Sequence, residues 1–360
     1  MMIQAVLGNP SHPEYGVATI PFPIPHDQYT YCMELLAALE IGDAVKADCK
    51  VEAVDSFFSV LKRTGMLTVN VEELNYLAKR LDSFDTGEAA QFQAMAHKLE
   101  LFELKDLINL TFCCQQATVI TDFSDLAAVG RDHYMNLHGG SASVDELNKL
   151  NGEETARRLI ENGGGTITPY GVVYDNGMKL EQVYDGRFFP CYYYEPNAIT
   201  VAVTSKTEPE DTEHITWLFL PMIQEEIDRA LLRGGITDPS EIRLSLEDSW
   251  LPHEVLDLLD MDHVDISELN ALVQALDEFS DMSIRKYAAA AVMARPHTTE
   301  QAKHLAENLD LFDFAPSAST PEEYGKYMIQ KSGRFEYDEN LDAFYDYEKY
   351  GTERMNEEDG

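Results

Sequence analysis

His253-Glu254 opens like the helix of a zinc peptidase, in which two histidines four residues apart hold the metal and the glutamate acts as base. Position 257 is Asp257 where the second histidine must stand, so that site is incomplete. Glu103-Leu104-Lys105 has the spacing of a metal-dependent nuclease, but it lies in an amphipathic helical run, where a surface ion pair is the commoner arrangement. Gly163-Gly164-Gly165 is not followed by Gly-Lys-Ser/Thr, so it does not read as a phosphate loop. No Gly-x-Ser-x-Gly elbow occurs, and the ten histidines are scattered. These patterns disfavour catalysis and call for no metal, nucleotide or other cofactor.

The carboxylates are arranged with more regularity. Asp338, Asp342 and Asp346 stand at i, i+4 and i+8, which in a helix places them on one face about 6 Å apart, close to the phosphate spacing of a DNA strand. Asp257, Asp260, Asp262, Asp265 and Glu268 form a second run. Asp277, Glu278 and Asp281 follow, then Asp310, Asp313, Glu322 and Glu323. One such run is ordinarily the solvated face of a helix. Repetition without compensating lysines is different, because like charges at i, i+4 destabilise a helix by a few tenths of a kcal/mol each.

Composition agrees. The chain has 360 residues and a net charge of −37, from 64 acidic and 27 basic side chains. Residues 1–200 hold 28 acidic and 14 basic side chains, net −14, and residues 201–360 hold 36 and 13, net −23. Apolar content of 44% argues for a folded protein rather than an acidic tail. Nucleic acid and anionic membranes should be repelled, and basic protein surfaces attracted. DNA carries one charge per ~1.7 Å, so the surplus corresponds to roughly 60 Å of duplex, and half of it to about one helical turn. Five cysteines without a C-x-x-C pair, no apolar span and no signal-like start predict a cytoplasmic protein.

The elements that must position these carboxylates are duplicated. Glu73-Leu74-Asn75-Tyr76-Leu77-Ala78-Lys79-Arg80-Leu81-Asp82-Ser83-Phe84 recurs 195 residues later as Glu268-Leu269-Asn270-Ala271-Leu272-Val273-Gln274-Ala275-Leu276-Asp277-Glu278-Phe279, identical at seven of twelve positions. Unrelated segments would share roughly one. Before the motif each copy predicts a strand, a helix and a returning strand: 17–22, 27–39 and 47–54 in the first, 215–220, 221–232 and 242–246 in the second. After it come helices over 284–293 and 299–309, and Ser267 is the expected cap of the helix at Glu268. Leu180–Asp185 matches Leu341–Asp346 at an offset of 161, which predicts 34 extra residues in copy one, including a helical run over 144–160. The strand-forming stretch 199–203 leads to a polar join at Thr207–Asp211, and the tail Asn356–Gly360 is expected to fray.

Taken together, Glu73–Ala78 with Lys105–Leu110, Asn308–Phe314, Glu323–Tyr327 and Phe344–Gly351 resemble the ArdA antirestriction proteins. The resemblance covers most of 211–351 and, more loosely, 17–135. It implies an α+β, mainly helical fold, an elongated array of small domains with two ArdA-like units in series. The expected division is 1–135 as the first unit, 136–170 as an insertion, 171–209 as the end of the first unit and a linker strand, 210–351 as the second unit, and 352–360 as an acidic tail. It also implies a non-enzymatic DNA mimic of mobile elements that occupies the DNA groove of a type I restriction-modification enzyme, with a homodimer as one assembly. The alternatives are a mimic aimed at another defence system, such as a CRISPR effector, and an acidic interaction scaffold.

Overall fold

In the computed structural model, which describes residues 3–206, 214–261 and 263–357, the chain forms two compact units. Met1–Pro196, Glu210–Trp217 and Ile223–Thr237 make the first, and Asn197–Pro209, Leu218–Met222 and Asp238–Gly360 the second. Helix outweighs strand in an α+β arrangement. The polar join Thr207–Asp211 lies outside the described residues.

The first unit begins with β1 (Ile3–Gly8), β2 (Val17–Phe22), α1 (Tyr29–Ala38), β3 (Cys49–Asp55) and β4 (Thr68–Val69). These strands form one sheet in the order β2-β1-β3-β4. Alternation sends Ile3, Ala5 and Leu7 inward opposite Phe22, Ile20 and Ala18, and α1 adds Tyr29, Cys32, Met33 and Leu36 to the same core. Helices α2 (Val71–Asp82), α3 (Thr86–Lys98) and α4 (Leu104–Leu110) follow. Next come β5 (Thr118–Ile120), α5 (Leu126–Leu137), α6 (Val144–Lys149), α7 (Gly152–Asn162), β6 (Thr166–Thr168) and β7 (Gly171–Tyr174), with the three strands in a second sheet ordered β5-β7-β6.

The second unit takes β8 (Ile199–Ser205) as its central strand, between β9 (Thr216–Leu220) and, after α8 (Gln224–Arg233), β10 (Ile242–Ser249). Its helices are α9 (His253–Leu256), α10 (Ile266–Leu276), α11 (Asp281–Ala294), α12 (Thr299–Glu307), α13 (Pro321–Gln330) and α14 (Tyr347–Glu357). The stretch expected to close the first unit and link it onward thus supplies the middle strand of the second sheet.

The duplication is visible in backbone detail. Ile24 N–H donates to Asn75 Oδ1 at 2.8 Å, and Met222 N–H donates to Asn270 Oδ1 at 2.9 Å. Each donor follows the second strand of its sheet and each acceptor lies in the repeated motif, so a buried Asn clamps sheet to helix in both copies. The outer strand bulges at matched residues, Glu52 in β3 and Glu247 in β10. Phe84 meets Phe92 edge-on at 6.1 Å, and Phe279 meets Tyr287 likewise at 6.2 Å.

The offset of 195 continues where the sequence predicted an insertion. Helices α5 and α7 begin 195 residues before α13 and α14, and α6 stands opposite a 3-10 turn at Glu339–Phe344. The helices within residues 136–162 therefore recur in the second unit. The match of Leu180–Asp185 to Leu341–Asp346 has no structural basis: the first is irregular chain and the second lies largely in that turn. In the first unit β6, β7 and a further segment follow α7. The acidic tail is likewise shorter than expected, since α14 includes Asn356 and Glu357, and 358–360 lie outside the described residues.

Glycine permits the matched helix pairs to touch. A Cβ on Gly130 would lie 1.8 Å from the Gly152 carbonyl oxygen, and one on Gly351 would lie 1.7 Å from the Pro321 carbonyl oxygen. Both obstacles are backbone, so the helices must separate. Gly351→Ala is expected to destabilise the α13–α14 pair by about 1–3 kcal/mol; hydrogen exchange in α14 as slow as in the parent would refute this.

Candidate functional site: the acidic surface of the second unit

All fifteen carboxylates singled out in the sequence fall in the second unit, and the fourteen described ones are exposed; Asp262 lies outside the described residues. Their local roles divide them. Glu268 accepts from Thr299 Oγ1 at 2.6 Å. Asp265, not Ser267, caps α10: its Oδ1 accepts Ser267 N–H at 2.8 Å and Glu268 N–H at 3.1 Å. The helix starts two residues earlier than expected because Ile266 is buried and helical, and Asn70 caps α2 at the matched position. Glu323 accepts from Ser319 N–H at 2.9 Å and sits one turn into α13, which Thr320 caps. Asp260 pairs with His263 at 2.8 Å, Glu322 with Lys326 at 2.6 Å, and Asp313 with Arg334.

Asp338, Asp342 and Asp346 do not share a helical face. Asp338 caps the 3-10 turn through Asn340 N–H, Asp342 lies within it, and Asp346 caps α14 through Lys349 N–H at 3.0 Å. Two caps eight residues apart divide the run into separate turns, which overrides the i, i+4 pattern. Asp342 accepts from the phenols of Tyr337, at 2.6 Å, and Tyr347, and from Gln330 Nε2 at 3.0 Å. The Tyr337 bond, then the Tyr347 bond, hold its carboxyl below the ordinary aspartate value. A lowered folded value means that its stabilising contribution is present above about pH 4, the ordinary aspartate value, and is lost as pH falls through the folded one. Protection of amides 337–347, relative to their intrinsic exchange rate at each pH, should therefore fall in acid, and Asp342→Asn should remove that pH dependence; an unchanged profile would refute the clamp.

Asp257, Asp277, Glu278, Asp281 and Asp310 remain, with no ion pair or side-chain hydrogen bond among the described residues. Asp277 is the C-cap of α10, beside Glu278, where the helix dipole disfavours negative charge. The surrounding sequence adds Glu247, Asp248 and Glu254, which the runs starting at Asp257 overlooked. The signal for them is the absence of any lysine or arginine between Arg243 and Arg285. The matched stretch of the first unit holds Lys50, Lys62, Arg63, Lys79 and Arg80, and Lys62 stands where the second unit has Asp257.

Other chemistry is structurally accounted for. Lys105 Nζ donates to the Asp185 carbonyl at 2.8 Å, so the pairing expected with Glu103 gives way to a bond that ties down the 184–186 segment. Gly163 ends α7 with a positive φ of 72° and opens no helix. All five cysteines are free thiols, four of them buried. Among the described residues no three His, Cys, Asp or Glu side chains converge as metal ligands, and no helix is long and apolar enough to cross a membrane.

No family model, curated protein or solved structure matches the chain. The reading of its function therefore stands on the residues themselves.

Proposed function

We propose that the chain is a non-enzymatic, ArdA-like antirestriction protein, two such units in series, whose second unit competes with DNA for the basic groove of a type I restriction-modification enzyme. The observation that supports this most strongly is the comparison between copies. The same succession of capped helices and bulged strand carries five lysines and arginines in residues 49–89 and none in residues 244–284. The fold therefore does not require the acidity. Carboxylates at Asp277 and Glu278 oppose the dipole of α10, so a partner that rewards them is the physical explanation. Carboxylates of this kind stand in for phosphates and exchange ion pairs with the enzyme's Lys and Arg side chains. The proposal rests on the second unit, because the first has the buried Cys113 at the position of the exposed Asn308 and the uncharged Gln115 at that of Asp310.

The test is competition. The chain should displace duplex DNA from a type I restriction-modification complex, in excess chelator as well as without it, and its affinity should fall steeply as salt rises. Failure to displace DNA at low salt would overturn the reading. Displacement from a CRISPR effector instead would keep the mimicry and reassign the target.

A further inference from the structure

One corner of each unit is built to the same plan and lined differently. The plan is fixed by the backbone: Asn151 and Asp346 cap α7 and α14 through the amides of Glu154 and Lys349, and Lys149 and Phe344 are the last residues of α6 and of the 3-10 turn. In the first unit the corner carries its own cations. Lys149 ends α6, Arg157 pairs with Glu153 at 2.6 Å, and Arg158 pairs with Glu154. The second unit has Phe344, Thr352 and Glu353 at the places of Lys149, Arg157 and Arg158. Its Glu348, matched to Glu153, has no ion pair or side-chain hydrogen bond among the described residues.

A solvent-open cavity of about 400 Å³ lies at this corner of the second unit, lined by Glu322 of α13, by Phe344, and by Asp346, Tyr347 and Glu348 where α14 begins. Lys349, at the place of Glu154, does not line it. The carboxylates need no partner to explain them, because they stand in or beside the first turns of α13 and α14, where the helix dipole favours negative charge. The phenyl ring does. Phe344 is 83% exposed and meets no other ring and no cation among the described residues, whereas the Tyr347 ring has Lys326 Nζ 5.7 Å from its centre. One exposed apolar residue is ordinary. A bare aromatic face in one cavity with an unpaired carboxylate, at the place where the first unit has a lysine, is the pair of groups that an arginine engages, its plane on the ring and its fork on the carboxylate. The chain uses that stacking internally, with the Arg80 guanidinium 4.4 Å from the centre of the Phe112 ring and 4.5 Å from that of Tyr192.

We infer that this cavity receives an arginine side chain of the basic partner, its guanidinium laid on Phe344 and its fork turned to Glu348. Glu322 already holds Lys326 and Asp346 holds the Lys349 amide, so Glu348 is the carboxylate left for a second cation. A lysine fits less well, since its ammonium is a compact, strongly hydrated charge with no plane to stack. The net charge of −37 favours a basic visitor over an acidic one. The inference rests on the DNA-mimic reading for the identity of the partner. It adds an anchor that DNA phosphates do not have, because a phosphate offers the enzyme's arginine a charge but no aromatic face.

The experiment titrates the parent chain, Phe344→Leu, Phe344→Tyr and Glu348→Gln against DNA held by a type I restriction-modification complex, at several salt concentrations. Both positions are exposed, so circular dichroism should stay as in the parent. Phe344→Leu removes the ring but keeps apolar surface and charge, and should weaken displacement roughly twofold to thirtyfold with the salt dependence unchanged. Phe344→Tyr, which keeps the aromatic face, should act as the parent does. Glu348→Gln should weaken displacement and flatten its salt dependence. Leucine serving as well as phenylalanine, tyrosine failing as leucine does, or Glu348→Gln leaving affinity and salt dependence in place would each overturn the inference while the parent still displaces DNA. A parent chain that displaces no DNA at low salt would overturn the DNA-mimic reading itself, and this inference with it.

Discussion

Replacing Arg233 by methionine lowers the stability of the first unit by about 3–5 kcal/mol. Arg233 is 4% exposed, and its guanidinium is surrounded by fixed acceptors of the same unit. It donates to the Arg187 carbonyl at 2.8 Å, the Ala44 carbonyl at 2.9 Å, Asn70 Oδ1 at 3.0 Å and the Tyr184 phenol oxygen, with Glu73 3.7 Å away and the Phe189 ring stacked at 4.4 Å. Methionine fills comparable volume but leaves the Ala44 and Arg187 carbonyls without their donor and the mostly buried Glu73 carboxylate with the Tyr184 phenol at 2.7 Å but no cation, and a buried charge without its counter-ion is the expensive part. Lysine does not rescue, because one ammonium cannot reach acceptors arrayed around a planar fork. Arg187 Nε answers by donating to the Arg233 carbonyl at 2.8 Å, so both ends of the contact loosen together. The measurement is denaturant-dependent hydrogen exchange, read separately in α2 and α10. A loss confined to α2 and its neighbours is expected, and a change under 1 kcal/mol would mean that the cluster is compensated by water.

Neutralising the five unpartnered carboxylates should have the second large effect, with opposite signs on binding and on stability. Asp257→Asn, Asp277→Asn, Glu278→Gln, Asp281→Asn and Asp310→Asn keep side-chain shape and remove five charges. Exposed ion pairs contribute about 0.2–1 kcal/mol each, so together they weaken binding to the enzyme by about 1–5 kcal/mol, or roughly fivefold to a few thousandfold. The salt dependence should flatten with them. Stability should hold or rise, because Asp277 and Glu278 sit at the unfavourable end of α10, whereas only Asp281 loses a favourable place in the first turn of α11. Affinity falling while thermal stability holds is the signature of a charge array that serves a partner. Unchanged affinity with an unchanged salt slope would remove these residues from the interface. Asp338 and Asp346, which cap turns, and Asp342, held by two phenols, are expected to contribute less than their spacing suggested.

The legible part of this molecule was the part where residue type and backbone role coincide. Alternation from Val17 to Phe22 and the leucines at 269, 272 and 276 predicted strand and helix because one face of each is buried. The repeat was legible through Asn75 and Asn270, which are identical because they do identical work on the backbone. The later helices were illegible as a repeat because their packing rests on glycines and caps: Gly130 meets Gly152, while Gly325 lies against the Tyr347 carbonyl and the backbone of Gly351. Six residues of chance likeness, Leu180–Asp185 to Leu341–Asp346, then outweighed a true register that preserves almost no side chains. The candidate carboxylates were found as residues, but their division into caps, clamps and unpartnered charges depended on backbone geometry that the i, i+4 spacing of Asp338, Asp342 and Asp346 misrepresents.

The Asn clamps make the molecule its own reference standard. Amides Ile24 and Met222 donate to the same side-chain type at nearly the same distance, one in each unit, within a single polypeptide and a single sample. Any change of temperature, salt or pH acts on both, so their difference in exchange rate or chemical shift cancels the solvent and reports only what differs between the surroundings of the clamps. A ligand that engages the second unit should move the Met222 signal and leave Ile24 in place, turning a duplication into a built-in ratiometric gauge.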